Sequence, residues 1–250
     1  MALTMRETFR LARRLLLLQV PLNYRTMQGG GYLFALWPWL RKGEHRSKRV
    51  RAASGFLNAH PVTAALALGA LRRRLENGDA EMHEEELAQW MQSLCGPLGM
   101  VGDALIWDRW KPLIFAAGAL AMAFSPSSGV WLMVALTCLL VYNVPLAYAR
   151  VRGIREGYRL GVSVLSALNR PVFSALRNYL SVAGAVLAGL MLGFLFVTGS
   201  RIKTIAALQF LAAFGLTWLG IRRRGLRWYV LPFAAGAALA VPLIASLFHF

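Results

Sequence analysis

Four stretches of this chain contain no Asp, Glu, Lys or Arg: Pro112 to Ala149, Asn178 to Ser200, Thr204 to Ile221, and Trp228 to Phe250. A hydrocarbon layer about 30 Å thick is crossed by roughly 20 apolar residues of helix. Within lipid every backbone amide must find its partner inside the segment, which leaves helices or closed barrels. Runs this long and this apolar point to helices. Composition agrees, with 57% hydrophobic and 16% charged residues, against about a quarter charged in soluble domains. The expected fold is an all-α polytopic membrane protein. Amphipathic and broken or re-entrant helices come first, followed by about four transmembrane helices near 130–149, 179–199, 204–221 and 228–248.

The first half is organised differently. Thr4 and Glu7 have the spacing of a helix-starting capping box. Phe9, Leu11, Leu15 and Leu18 then alternate with arginines. This predicts an amphipathic helix over 4–20, lying in the membrane interface or packed on its own domain. Tyr32–Leu40 and Val62–Leu71 are too short to cross. Residues 41–51 are mostly basic, and Leu87, Trp90, Met91 and Leu94 mark a water-exposed helix in an acidic region. Residues 94–124 are apolar but carry Gly96-Pro97, Gly99, Gly102-Asp103 and Pro112, which read as breaks. Leu113–Phe124 is about 12 residues, or roughly 18 Å of helix, and cannot span alone. The expected division is a cytoplasm-facing, partly membrane-embedded region at 1–110 and a transmembrane region at 111–250.

The net charge is +17. The arginines flank apolar spans and form no independent basic domain, so anionic membrane lipids are the expected counter-charge and nucleic acid is not. Arg150, Arg152, Arg155, Arg159, Arg170 and Arg177 fill one connection and Arg222, Arg223, Arg224 and Arg227 another. By the positive-inside bias these connections and the N-terminal half face the cytoplasm. The two cysteines, Cys95 and Cys138, suggest neither a disulfide framework nor a metal site. No nucleophile elbow, P-loop, dinucleotide fingerprint or zinc motif is visible, and no cofactor is expected. A lipid-acting membrane enzyme would need a clustered acid, His or metal constellation, and the sequence offers none.

Three polar stretches interrupt the apolar first half: Asn23-Tyr24-Arg25-Thr26-Met27-Gln28-Gly29-Gly30-Gly31-Tyr32, then Phe56-Leu57-Asn58-Ala59-His60-Pro61, then Gly96-Pro97-Leu98-Gly99-Met100-Val101-Gly102-Asp103-Ala104-Leu105-Ile106-Trp107. Gly157-Tyr158-Arg159-Leu160-Gly161 follows. In this order and spacing the chain resembles the IID membrane subunit of the mannose/fructose/sorbose-type phosphotransferase system (PTS). That family carries patterns like N-Y-E-R-M-Q-G-x-G, F-F-N-T-H-P, G-P-L-A-G-I-G-D-S-L-x-W and G-Y-x-x-G. The matches cover about residues 20–165. Arg25 stands where an acid is expected, Ala59 for a Thr, Gly99-Met100-Val101 for A-G-I, and Ala104 for a Ser. An Arg-His pair usually found upstream of the second motif is replaced by Ala52-Ala53.

The resemblance implies a non-enzymatic, multi-pass EIID subunit of the bacterial inner membrane. It would pair with a IIC subunit, in a higher oligomer of IIC/IID pairs, to carry a hexose that IIB phosphorylates, the phosphoryl groups riding on separate soluble IIA and IIB components. The departures motivate an alternative, a regulatory or scaffold module that has lost transport. A neutral hexose is held by side chains that exchange hydrogen bonds with its hydroxyls and by an aromatic face against its C–H surface. Asp103, Asn58, His60, Asn23, Gln28 and Trp107 are the candidate substrate-binding residues. Asp103 is the sharpest, because an ionisable group in a broken apolar helix is a functional hypothesis by default. It could also cap a helix starting at Ala104. Asn58 and His60 could cap and support a helix opening at Pro61, and Asn23 and Gln28 could serve a turn before the glycines.

Overall fold

The computed structural model describes residues 3–41, 46–77, 84–124 and 127–199. The spans expected at 204–221 and 228–248 fall outside these residues. Among the described residues the regular structure is all helical, with isolated bridges and no strand. It divides into two compact units, one of Met1–Lys111 and Leu139–Arg177, the other of Pro112–Cys138 and Asn178–Phe250.

In the first unit, α1 (Met5–Leu15) opens with the capping box read from the sequence. The Thr4 amide donates to Glu7 Oε2 at 3.0 Å and the Glu7 amide to Thr4 Oγ1 at 3.3 Å. Thr8, Leu11, Ala12 and Leu15 are buried in the unit's own core, on the side of α2 (Gly29–Leu40). The apolar stripe therefore packs on its own domain, the second of the two arrangements weighed above. Met5 and Phe9 remain on its exposed side. After the short basic α3 (Arg46–Ala53), the chain turns into α4 (Ala64–Glu76). Every residue from Ala64 to Arg72 is buried, so α4 is the central helix of the unit.

The expected breaks at Gly96-Pro97 and Gly102-Asp103 do not occur. Helix α5 (Glu84–Gly102) passes through Pro97 and continues as a π-helical segment, Asp103–Trp110, into α6 (Lys111–Ala123). Pro97 removes one amide donor without stopping a helix that is packed on its neighbours. The wider register ends where the Lys111 amide donates to the Ile106 carbonyl, immediately before Pro112, which has no N–H with which to continue the α pattern. Asp103 thus lies inside a helix and is not the N-cap of a new one.

Helix α7 (Ser128–Leu160) runs 33 residues, or about 50 Å, well past the expected end at Ala149. It crosses α4 backbone to backbone. A Cβ on Gly157 would meet the Leu66 carbonyl oxygen at 2.0 Å, and one on Gly69 the Ile154 carbonyl oxygen at 2.0 Å. Gly153, Gly157 and Gly161 are four residues apart, the small-residue spacing of close membrane-helix crossings. Gly161 adopts φ +54°, where any side chain is strained. It opens a 3₁₀ segment, Gly161–Asn169, before α8 (Pro171–Gly199).

In the second unit, α6 and the first residues of α7 form a hairpin. Trp131 Nε1–H donates to the Met122 carbonyl at 3.1 Å, and a Cβ on Gly118 would lie 2.6 Å from Cys138 Sγ. Among the described residues, Ser128–Asn169 and Pro171–Met191 are long and apolar enough to cross a membrane, and little of either is buried within the chain. Bare apolar helices of this kind require lipid or another subunit around them.

Candidate functional site

The first two polar motifs fold against each other. Asn23 Oδ1 accepts the amides of Arg25 at 3.0 Å and Thr26 at 2.9 Å, and its Nδ2 donates to Thr26 Oγ1 at 3.0 Å. This Asx-type turn leads into Met27, which holds φ 52°, a left-handed conformation uncommon for a residue with a side chain. The reversal aligns the loop with the second motif. The Gln28 amide donates to the Leu57 carbonyl at 2.8 Å, and the Leu57 amide to the Thr26 carbonyl at 3.3 Å. Gln28 completes the pairing with its side chain, donating from Nε2 to the Ala59 carbonyl at 2.7 Å and accepting the Ala59 amide on Oε1 at 3.1 Å. Gly29 is required here, since a Cβ would approach the Gly55 carbonyl oxygen to 2.3 Å.

The paired loops lie on the third motif. Thr63 Oγ1–H donates to the Leu98 carbonyl at 2.7 Å, tying the start of α4 to α5. The Asn58 amide donates to Cys95 Sγ at 3.2 Å. The backbone of Gly102 passes directly under His60. His60 is only 5% exposed. Its Nδ1 accepts the Val62 amide at 3.2 Å, which leaves the ring proton on Nε2 in the neutral form. That Nε2 is buried without a hydrogen-bond partner. Burial first, and then the positive charge of Arg150, pushes the His60 pKa down to about 4. Its ring meets Trp107 edge to face, with centroids 6.0 Å apart.

Between loops and helix lies a groove of about 690 Å³, within the ~300–1,000 Å³ of small-molecule sites. Along the helix it is lined by Gly96, Gly99, Asp103 and Trp107, which recur every three or four residues and so share one face. Gln28, Asn58 and His60 line the loop side. Five of the six candidate residues thus come together. Asn23 does not line the groove, and its amide is engaged in its own turn. Gln28 lines it with both ends of its amide already bonded to Ala59. Asp103, Asn58 and Trp107 are exposed to the groove. Cys95, Met100 and Asp108 also line it and were not expected. The spacing that reveals them requires an unbroken helix through Gly96-Pro97. No group of metal-binding side chains occurs among the described residues.

Comparison with known proteins places these features in a family. The model of the PTS mannose/fructose/sorbose family IID component matches residues 2–213. The mannose-specific EIID component of Escherichia coli K12 is 29% identical over 175 residues, 67% of this chain and 60% of that protein. The match therefore spans less than two thirds of that relative's length. The fructose permease IID component of Bacillus subtilis 168 is 24% identical over 75% of this chain and 68% of its own. The sorbose-specific EIID component of Klebsiella pneumoniae is 22% identical over 69% and 64%. Two solved structures share the fold. One, described as a membrane protein, has a TM-score of 0.66 at 22% identity over 98% of this chain and 97% of that one. The other, a cryo-EM structure of the mannose transporter ManYZ with microcin E492, has a TM-score of 0.55 at 23% identity over the same shares. With its motif loops folded onto one groove and a family match over most of its length, the chain belongs to the IID components of the mannose/fructose/sorbose phosphotransferase system.

Proposed function

We propose that this chain is the IID half of a sugar permease, binding a neutral hexose in the groove between the Asn58–His60 loop and the Asp103–Trp107 face. It pairs with a IIC subunit, in a higher oligomer, and works with soluble IIA and IIB. The N-terminal half and the groove-bearing loops face the cytoplasm of a bacterial inner membrane, where IIB phosphorylates the delivered sugar. The chain itself carries no phosphoryl group. One observation supports this most directly: a carboxylate, a carboxamide and an indole line a single groove of about 690 Å³. These groups suit hydroxyls on one side of a sugar and its C–H surface on the other.

In this reading Asp103 and Asn58 bind hydroxyls and Trp107 packs on the ring. His60 offers its neutral Nε2–H as a further donor. Gln28 and Asn23 position the loop. The alternative, a scaffold without transport, draws on the motif departures. Of the departures, Arg25, Val101 and Ala104 do not line the groove, whereas Ala59, Gly99 and Met100 do; the Ala59 backbone makes the Gln28 bonds whatever its side chain. The polar lining of Asp103, Asn58 and His60 keeps the family's residues, which favours retained transport. The test is uptake and phosphorylation of hexoses by the chain co-assembled with its IIC partner and supplied with IIA and IIB. Substrate turnover supports the permease. An intact complex that moves none of the mannose-, fructose- or sorbose-type sugars supports the scaffold.

A further inference from the structure

A second groove, of about 740 Å³, opens in the first unit between α1, the end of α4 and the C-terminal part of α7. Two features set its chemistry. Arg73, Arg152, Arg155 and Arg159 line it against a single carboxylate, Glu156. Glu156 already accepts from Arg159 at 2.7 Å and from Arg170. Arg152 and Arg155 are exposed. Beside them lie Met5 and Phe9, 50% and 56% exposed, which lose nothing in water only if something apolar covers them.

The position of the groove supplies the third observation. The charge-free stretch of α7 ends at Ala149, and Arg150 begins the basic run. Tyr148, 62% exposed, stands at that border with its hydroxyl 3.3 Å from Arg152 Nη1. An exposed tyrosine whose hydroxyl reaches an arginine at the end of a charge-free stretch is an arrangement suited to the membrane–water boundary. The groove therefore combines guanidinium groups beside that charge-free stretch with an apolar lining that continues onto the amphipathic helix α1.

We propose that this groove binds an anionic phospholipid. The phosphate sits on Arg152 and Arg155, and the upper acyl chain runs over Met5 and Phe9. Guanidinium groups match phosphate oxygens in paired geometry. A soluble phosphate or an acidic protein surface would use the arginines and leave Met5 and Phe9 uncovered, so the lipid is the occupant that satisfies both halves. The assignment does not depend on the hexose site.

The test uses the full chain, co-purified with its membrane partner and stripped of native lipid. Its melting is followed after adding phosphatidylglycerol, phosphatidylcholine or glycerol phosphate. Phosphatidylglycerol should stabilise the protein more than phosphatidylcholine, and glycerol phosphate should do nothing. Arg152→Gln/Arg155→Gln should weaken the phosphatidylglycerol effect by roughly 30-fold in the half-saturating concentration, at about fivefold per basic residue near an anionic surface. Met5→Ser/Phe9→Ser should weaken it while leaving the charge intact, which guards against one variant failing to fold. Equal stabilisation by both lipids, or by glycerol phosphate alone, overturns the proposal. So does an Arg152/Arg155 variant whose lipid response is unchanged while its binding to purified IIB is lost.

Discussion

Gly102 and His60 touch so closely that a Cβ on the glycine would lie 2.2 Å from the imidazole-bearing Cβ. The glycine before Asp103 is thus explained by packing and not by a turn, since it sits inside a helix. Gly102→Ala should displace the His60 loop. Overpacking of this kind costs about 1–3 kcal/mol. The variant should melt earlier and lose sugar affinity together. A Gly102→Ala protein with unchanged melting and affinity would show that the loop yields freely.

Asp103 separates the binding role from the structural one. It is exposed to the groove and caps nothing. Asp103→Asn should leave the protein assembled with its partner and equally stable, because no structural contact is removed. Losing one charge-assisted hydrogen bond to a sugar hydroxyl costs about 1.5–3 kcal/mol, roughly 10- to 100-fold in affinity. Sugar binding to the purified complex measures this. Unchanged affinity would remove Asp103 from the site.

How far the sequence could be read depended on which physical signal each residue carried. The charge-free runs and the Thr4–Glu7 box rest on local chemistry: the box forms, the runs at 130–149 and 179–199 fall within α7 and α8, and those at 204–221 and 228–248 lie outside the described residues. Asp103, Asn58, His60, Gln28 and Trp107 were legible as candidates through their motifs, and they line one groove. The unbroken passage through Pro97 was not legible. It depends on neighbours that hold the helix, among them Thr63 on the Leu98 carbonyl. Cys95 and Met100 went unseen for the same reason. The double engagement of Gln28 with Ala59 joins residues 31 apart and leaves no local trace. Nor does the burial of Gly69 and Gly157 against each other's helices.

That helix crossing makes a prediction of its own. At Gly157 a Cβ would be 2.0 Å from the Leu66 carbonyl oxygen, a backbone atom that cannot rotate away. Gly157→Ala should force α7 off α4 and destabilise the protein by about 1–3 kcal/mol, the cost of a typical overpacking. Gly153→Ala should be milder, because its nearest contact is the Ala65 side chain at 3.1 Å. Melting of the two variants side by side gives the order. Equal melting points would contradict the backbone crossing.

His60 sets a pH dependence whose sign follows from its surroundings. Arg150 opposes its protonation and burial does so more strongly, so its folded pKa is about 4 against an ordinary 6.5. Asp103 and Asp108 from the helix, and Cys95 from α5, line the same groove, and Lys111 Nζ lies 5.2 Å from the Trp107 ring. Below pH 6.5 the unfolded chain binds a proton that the folded chain refuses. The contribution is complete above pH 6.5 and is lost as pH falls toward 4. Its full size is roughly 3 kcal/mol at 1.36 kcal/mol per unit. His60→Gln should flatten the fall in melting temperature between pH 6.5 and 4. An unchanged slope would mean that His60 takes up its proton as readily in the folded protein as in the unfolded chain.

Cys95 offers a direct view of groove occupancy. Its thiol lines the groove beside Asn58 and is partly exposed, while the chain's other cysteine, Cys138, lies against Gly118 and the Ile114 carbonyl in the second unit. In a Cys138→Ser background a maleimide therefore reports on the groove alone. Saturating sugar should slow its reaction with Cys95, because a hexose seated between Asn58 and Trp107 blocks the approach. Asp103→Asn should restore the unprotected rate at the same sugar concentration. Labelling that ignores every transported sugar would place the hexose elsewhere in the complex and leave this groove without its proposed ligand.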